Sequence, residues 1–325
     1  MTMPTPTSTP TAAPPDQSDG DPVIRVQHLR KAYRQTVAVH DVSFEVRRGE
    51  IFGILGPNGA GKTTTVEIVA NLRPADGGQI EVLGVDPRRD PARVKERVGV
   101  QLQESTLQGQ ITAREALRLY AAFYADPEDP ETLLRMLGLQ ERADTAFDDL
   151  SGGQKQRLSI ALALVGRPEI AILDELTTGL DPQARRETWD LVERVRDSGV
   201  TIVLVTHFMD EAERLCDRLM VVADGRVVAA GTPAELTGAT RGARAFRLAL
   251  PDGHTPSSLG VDTLPEVTEV TPTHGGWTVS GGHRVLPAVV RALDEQGVVP
   301  DEIQTRTRSL EDVFVELVTR TEEDS

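Results

Sequence analysis

The sequence predicts an α/β protein with an open sheet, followed by a small α+β unit at the C-terminal end. From Val23 onward, short apolar runs alternate with helix-like stretches, which is the pattern of α/β architecture. Two of these runs end abruptly, one in a glycine-rich segment and one in two carboxylates. The pattern changes again over residues 232–243, where the chain is small, polar and loop-like. We therefore expect one α/β domain over 23–237 and an α+β domain over 243–325.

Composition limits the classes of function. The chain has 325 residues with 39% hydrophobic content, enough for a sizeable core. Its formal charge of -15 offers no electrostatic attraction to nucleic acid, so we predict no nucleic-acid partner. Cys216 is the only cysteine, which excludes an internal disulfide and a thiolate metal cluster. No apolar run approaches the roughly 20 residues of a membrane span, so any membrane role needs a partner.

Residues 1–22 are rich in proline and threonine and have almost no large apolar side chains. Such a segment cannot bury enough surface to order itself, and we predict a disordered tail. It also lacks the basic start and apolar centre of a secretory signal. The protein is therefore expected in the cytoplasm.

A phosphate-binding loop is predicted where the strand-like GEIFGIL at 49–55 meets GPNGAGKT at 56–63 and then a helix-like stretch. Loop N–H groups and the helix N-terminus would bind phosphate oxygens, the Lys62 ammonium would neutralise charge, and the Thr63 hydroxyl would ligate magnesium. The alternative is a chance glycine turn, which the strand and helix on either side disfavour. The predicted nucleotide-binding residues are Gly56, Pro57, Asn58, Gly59, Ala60, Gly61, Lys62, Thr63 and Thr64.

Two further apolar runs end in polar groups. EIAILDE at 169–175 ends in Asp174, a predicted magnesium ligand, and Glu175, a predicted base for the attacking water. VTIVLVTH ends in His207. Adjacent carboxylates often signify only solvation, and a lone histidine is often structural. Because ligands of open α/β sheets gather at the carboxyl ends of the strands, we expect Gly56, Asp174 and His207 to share one crevice.

LSGGQKQR at 150–157 predicts a helix start, because Ser151 and Gln154 have the spacing of a capping box. Gly152 and Gly153 would leave the first N–H groups uncovered, which makes a second anion-binding helix start. Spacing alone favours an ordinary helix cap.

Together these motifs resemble the ATP-binding cassette ATPases, the nucleotide-hydrolysing subunits of ABC transporters, over residues 23–237. In that family GPNGAGKT is the Walker A loop of a P-loop NTPase core, LSGGQ is the signature in a helical subdomain, and ILDE is the Walker B strand with Glu175 as catalytic residue. The resemblance further implies that Gln103 senses nucleotide, helps to hold magnesium and contacts the membrane partner. It also implies that Asp181 belongs to the D-loop, His207 is the switch histidine, and Tyr33 stacks on adenine. Read alone, Tyr33 is a packed aromatic and Gln103 a surface amide.

The resemblance also implies an assembly. ATP on Walker A of one cassette is covered by Ser151, Gly152, Gly153 and Gln154 of another, so this chain needs a second cassette, expected to be identical. The partner would be a polytopic permease, and the chain would lie on the cytoplasmic face of the membrane. Its cofactors would be ATP and Mg²⁺. Leu176 departs from the family pattern, where proline is common, but touches no predicted catalytic group.

The C-terminal RTRSLEDVFVEL resembles the end of daunorubicin-resistance ATP-binding subunits, which implies export of hydrophobic or amphipathic compounds. A rival interpretation is a cassette ATPase acting on ribosomes or DNA; it is disfavoured because the chain has one cassette, no long coiled coil and no basic groove. A P-loop kinase would leave LSGGQ unexplained. We expect 243–325 to be non-catalytic, with a capped amphipathic helix from Ser309 and with solvated histidines at 254, 274 and 283.

Overall fold

The computed structural model describes residues 22–34, 36–102, 107–238, 244–251, 253–273, 275–282, 284–306 and 309–323. The strands are β1 (Pro22–Tyr33), β2 (Thr36–Arg47), β3 (Ile51–Leu55), β4 (Gly77–Val82), β5 (Val98–Gln101), β6 (Ile170–Asp174), β7 (Thr201–Thr206), β8 (Arg218–Ala223), β9 (Arg226–Gly231), β10 (Arg244–Ala249), β11 (Val267–Thr273), β12 (Gly276–Gly281) and β13 (Glu302–Arg306). The helices are α1 (Lys62–Val69), α2 (Pro91–Arg97), α3 (Ala113–Ala121), α4 (Pro130–Met136), α5 (Gly152–Leu164), α6 (Pro182–Asp197), α7 (Met209–Leu215), α8 (Pro233–Leu236), α9 (Val285–Glu295) and α10 (Leu310–Glu323).

Strands β1 to β9 form one sheet in the order β4-β1-β2-β9-β8-β3-β7-β6-β5. Its β8-β3-β7-β6-β5 part is parallel, whereas β1 pairs antiparallel with β2 and β4, and β8 with β9. Every residue of β3, β6 and β7 is buried, because layers of helices and strands cover both faces. This explains why these strands read as continuous apolar runs. The predicted α/β fold is confirmed.

Two apolar cores lie on opposite faces of this sheet, as the alternation along β3 shows. Ile51 and Leu55 contribute to the core shared with α3 to α7, while Phe52 and Ile54 contribute to the core shared with β1, β2 and α1. Helices α3, α4 and α5 pack against one another as a helical layer. That layer carries the segment LSGGQ at the start of α5.

A second, antiparallel sheet in the order β11-β12-β10-β13 follows the first along the chain. Helix α9 packs against β10, and the two elements share a separate small core that includes Phe246 and Val289. Pro22, placed in the predicted tail, is instead the first residue of β1. The rest of that tail lies outside the described residues, as do His274 and His283, while His254 is exposed.

Helix α10 begins as predicted: the Ser309 hydroxyl accepts from the Asp312 N–H at 3.2 Å, and the Ser309 N–H donates to the Asp312 carboxylate at 3.0 Å. It packs not on the small sheet but against α7, α8 and β8. Leu310 is buried in the larger core, and its N–H donates to Glu213 of α7 at 2.5 Å. The last element of the chain therefore returns to the first sheet. Among the described residues, none of the helices combines the length and the apolar composition of a membrane-spanning segment.

Candidate nucleotide site

The carboxyl ends of β3, β7 and β6 lie side by side at one edge of the sheet. Leu55, the last residue of β3, is level with Thr206 of β7, and Asp174 of β6 is level with Val205. Because the strands are parallel and in register, the next residues, Gly56, His207 and Glu175, emerge at the same edge. The structure thus brings together the three strand ends that the sequence singles out.

The glycine-rich loop between β3 and α1 needs glycine at two positions for steric reasons. A Cβ atom on Gly56 would lie 2.3 Å from the Val222 carbonyl oxygen, and one on Gly61 would lie 2.2 Å from the Ala38 carbonyl oxygen. Gly61 also has φ of 96° and caps α1 without any side-chain hydrogen bond. The first N–H groups of α1 therefore face the loop rather than a capping side chain, which suits an anion.

The Lys62 side chain lies under this loop and is only 4% exposed. Its ammonium donates to the carbonyl oxygens of Gly56 at 2.9 Å and Pro57 at 3.0 Å. Burial lowers the pKa of Lys62, an effect opposed by the nearby carboxylates of Glu175 and Asp174. A cation is thus held at the head of the loop with two carboxylates nearby.

Asp174 is completely buried, and neither of its carboxylate oxygens has a hydrogen-bond donor within bonding geometry among the described residues. Burial raises its pKa from 3.8 to about 6, although the neighbouring Thr63 hydroxyl favours the ionised form. Hard divalent cations prefer oxygen ligands. A buried carboxylate that has no hydrogen-bond donor and lies next to a hydroxyl group therefore suits such a cation. No group of three or more His, Cys, Asp or Glu side chains in the described ranges forms a metal cage. A cation here would need further oxygens from a ligand, as Mg²⁺ on phosphates does.

Glu175 has a left-handed backbone, with φ of 52°, which is uncommon outside glycine and is found at functional sites. Its N–H donates to the Val205 carbonyl at 2.9 Å, and its side chain is 8% exposed. One carboxylate oxygen lies 3.3 Å from His207 Nδ1, and the Thr178 hydroxyl lies 3.5 Å from the other. The His207 ring packs against Phe208 with 4.0 Å between ring centroids. Backbone and side-chain contacts together direct this carboxylate toward the loop.

Residues of the loop and Glu175 line one cleft, whereas Gly56, Asp174 and His207 lie at the same sheet edge but are not among the residues that line it. Its lining residues are Ala38, Asn58, Gly59, Gly61, Lys62, Thr63, Thr64 and Glu175. Tyr33 lies half-buried at the end of β1, with the Arg73 guanidinium 5.2 Å and the Lys31 ammonium 5.5 Å from its ring centroid. Gln103 lies outside the described residues.

The signature segment does not reach this cleft. Ser151 and Gln154 form the predicted capping box: the Ser151 hydroxyl accepts from the Gln154 N–H at 3.3 Å, and the Ser151 N–H donates to Gln154 Oε1 at 2.9 Å. Ser151 and Gly152 are exposed, while Gly153 is buried, so close to α6 that a Cβ atom would lie 3.2 Å from Ala184. None of the residues that line the cleft belongs to 150–157.

Asp181 caps α6, accepting from the N–H groups of Gln183 and Ala184 at 2.9 Å each. Sequence reasoning missed two buried residues near the site. The amide oxygen of Gln101, at the end of β5, accepts from the Asp174 N–H at 3.2 Å, and Glu211 on α7 is fully buried. Gln101 ends an apolar strand, a signal that strand-end reasoning offers; nothing in the sequence distinguishes Glu211 from a solvated helix carboxylate.

Three relatives match most of this chain. The linearmycin resistance ATP-binding protein LnrL of Bacillus subtilis is 31% identical, and the match covers 92% of this chain and 99% of the relative. The daunorubicin resistance ATP-binding protein DrrA3 of Streptomyces coeruleorubidus is 35% identical over 91% of this chain and 96% of the relative. The Nod factor export ATP-binding protein I of Ralstonia nicotianae is 41% identical over 69% of this chain and 71% of the relative.

Solved structures and a family model agree with these matches. The cbiO1 protein of Clostridium perfringens, part of the ABC transporter complex cbiONQ, is 29% identical with a TM-score of 0.62, over 68% of this chain and 92% of that one. A dimeric ATP-binding cassette in a post-hydrolysis state with ADP and phosphate is 26% identical with a TM-score of 0.59, over 64% of this chain and 98% of that one. The family model described as ABC transporter matches residues 39–178. The chain therefore belongs to the ABC transporter family and is one of its ATP-binding, ATP-hydrolysing cassette subunits.

Proposed function

We propose that this chain is the ATPase of an exporter, dimerising on ATP to drive a separate permease that exports hydrophobic or amphipathic compounds. The observation that carries the proposal is that similarity to the linearmycin and daunorubicin resistance ATP-binding proteins extends over 91–92% of this chain, well beyond the cassette. The C-terminal region therefore resembles the resistance proteins as well. We place the protein in the cytoplasm, peripheral on the cytoplasmic face of the cell membrane.

The loop and its surroundings would bind the triphosphate. N–H groups of residues 58–63 and the start of α1 would hold the phosphate oxygens, and the Lys62 ammonium would neutralise their charge. Tyr33 would stack on the adenine ring. Thr63, Asp174 and Gln103 would hold Mg²⁺, which when bound offsets the charge on the phosphates; the donor-free carboxylate of Asp174 supports this assignment.

Glu175 would act as general base. Its carboxylate would accept the proton of the attacking water, and His207, 3.3 Å away, would hold that carboxylate and the departing phosphate in place. Hydrolysis by phosphoryl transfer depends mainly on positioning and electrostatics, so these contacts matter more than covalent chemistry.

A second cassette would complete the site. Ser151, Gly152, Gly153, Gln154 and Asp181 lie on helix starts away from the cleft of their own chain. In a head-to-tail dimer the signature of one chain would cover ATP held by the other. We propose a homodimer, a polytopic membrane permease as the further partner, and no nucleic acid.

The Glu175→Gln variant tests the dimer. The substitution keeps the side-chain shape and removes the base, so ATP binds and is not cleaved, and uncleaved ATP holds two chains together by mass action. We expect an ATP-dependent dimer in light scattering that dissociates with ADP. Glu96→Gln, at an exposed position of α2, serves as a control for the same chemical change and remains an active ATPase. A monomer at saturating ATP and magnesium, or parental hydrolysis, would contradict the proposal.

Copurification tests transport. Affinity-tagged chain taken from native membranes should bring down a polytopic membrane protein, and cells that carry only Glu175→Gln should accumulate amphipathic dyes as a deletion strain does. Recovery of ribosomal particles or DNA in place of a membrane protein would instead identify a cassette ATPase outside transport.

A further inference from the structure

Glu211 is a carboxylate that the proposed chemistry does not use. It lies on α7, four residues after His207, and is completely buried. One of its oxygens, Oε1, accepts from two side chains: the Thr177 hydroxyl at 3.0 Å and the Trp189 indole N–H at 3.1 Å. Burying a carboxylate is costly unless its bonds compensate, so this residue needs a structural or functional reason.

Its two donors belong to different parts of the molecule. Trp189 lies within α6, so its hydrogen bond to Glu211 joins α6 to α7. Thr177 lies in the loop 175–181, between Glu175 and Asp181, and is itself completely buried. Burial raises the pKa of Glu211, while the side chains of Thr206, Trp189 and Thr177 oppose that rise. The second oxygen, Oε2, is buried and has no partner at hydrogen-bonding geometry among the described residues. Acceptance of hydrogen bonds by Oε1 does not require the carboxylate to be charged.

Thr177 is the inward anchor of that loop. Its carbonyl accepts from the Leu180 N–H at 3.2 Å, so the chain turns around it. The neighbouring Thr178 is exposed and carries the hydroxyl that faces Glu175 at 3.5 Å. Leu180, at the other end of the turn, lies next to the signature. A Cβ atom on Gly152 would be in van der Waals contact with the Leu180 side chain, at 3.7 Å. The position of Thr177 therefore sets the positions of both ends of the loop.

We propose that Glu211 is a positioning residue for hydrolysis: through the Thr177 hydroxyl it fixes the loop 175–181, and with it the Glu175 carboxylate. The inference rests on the proposed function, since it assigns Glu175 the role of base. Glu211 touches neither nucleotide nor water. Its effect is geometric, and a displacement near 1 Å of a reacting group is able to cost about 100-fold in rate.

The two donors to one oxygen allow a matched experiment. Thr177→Val removes the donor on the loop, and Trp189→Phe removes the donor on α6. We expect Thr177→Val to lower the kcat of ATP hydrolysis about 10- to 100-fold with KM for ATP within about threefold. Thr177→Ser keeps the hydroxyl and should retain kcat, and Glu211→Gln keeps the acceptor oxygen and should do so too. Trp189→Phe should lower Tm and leave kcat unchanged.

Three outcomes would overturn the inference. The first is an unchanged kcat in Thr177→Val. The second is an equal fall in kcat in Trp189→Phe, which would make Glu211 only a helix-packing residue. The third is a fall in kcat of more than tenfold in Glu211→Gln. If Thr177→Val does not fold, as judged by its thermal melt, Thr177→Ala replaces it with the same expectation. Glu175→Gln is assayed in parallel: unaltered hydrolysis there refutes the proposed function, whereas abolished hydrolysis with a normal Thr177→Val refutes only the role of Glu211.

Discussion

Helices α1 and α5 both begin in glycine-rich segments, yet their first turns are built differently. The start of α1 has no side-chain cap, is buried, and has the Lys62 ammonium folded beneath it. The start of α5 has a complete capping box between Ser151 and Gln154, and its first residues are exposed. Both carry the positive end of a helix dipole, but only α1 is enclosed by carboxylates and a cleft.

The difference fits the proposed head-to-tail dimer, in which each chain would supply half of a site. At α1 the loop, the lysine and the strand-end carboxylates converge within a single chain. At α5 the capping box occupies the N–H groups of Ser151 and Gln154, while Ser151 and Gly152 face solvent, so the ligand that we propose for this helix start is ATP held by a second chain.

Lys62→Ala should remove the ammonium group that would neutralise the phosphates at the start of α1. Loss of one preorganised charge from a phosphoryl-transfer site costs about 100- to 1000-fold in kcat, so hydrolysis should fall to background in a phosphate-release assay. Lys95→Ala on the exposed face of α2 is the matched control and should retain activity. Undiminished turnover in Lys62→Ala would refute the Walker A assignment.

Ser151→Arg should act on α5 alone. We expect ATP affinity of the isolated chain, measured by nucleotide fluorescence, to stay within about twofold, while hydrolysis and the ATP-dependent dimer of Glu175→Gln are lost. Loss of a helix cap by itself costs about 1 kcal/mol, so Thr112→Arg, at the capping box of α3, matches the stability effect. Thr112→Arg should leave dimerisation unchanged; equal losses in both variants would mean that the effect is one of folding.

Asp174→Asn tests how much the buried, ionised carboxylate near α1 lowers the free energy of unfolding. The rise in pKa from 3.8 to about 6 means that the folded state binds the proton more tightly, so the ionised group destabilises the magnesium-free protein by about 3 kcal/mol above pH 6. In chelator at pH 7.5, Asp174→Asn should therefore raise the free energy of unfolding by that order, a gain that shrinks as pH falls through 6 toward 4. Asp149→Asn, exposed beside α5, should change it by less than about 0.5 kcal/mol. A destabilised Asp174→Asn at pH 7.5 would contradict this account.

Tyr33→Ala should weaken nucleotide binding without stopping chemistry. Stacking of a base on an aromatic ring contributes about 1 to 3 kcal/mol, so the Kd for ATP should rise by roughly one to two decades. Tyr33→Phe keeps the ring and should bind as the parent does. Unchanged affinity in Tyr33→Ala, measured by calorimetry, would make Tyr33 a packing residue beside Arg73 and Lys31.

Local patterns account for much of the fold and of the candidate site. The capping boxes at Ser151 and Ser309 depend on residues three apart, and the hydrogen bonds of both are present. The abrupt ends of β3, β6 and β7 place Asp174, Glu175 and His207 at one sheet edge, because parallel strands in register share that edge. Such features depend on spacing along the chain or on a rule of sheet architecture.

Other features depend on contacts between segments that are distant in sequence. The apolar face of α10 predicts that the helix is covered, but its sequence does not say by what; the structure packs it on α7 through Leu310 and Glu213 rather than on the small sheet. Glu211 reads as a surface carboxylate until folding encloses it between Thr177 and Trp189. Sequence periodicity determines which side of an element is apolar and which residues begin it. Only tertiary packing selects the partner that covers it, because burial and hydrogen bonding depend on three-dimensional neighbours.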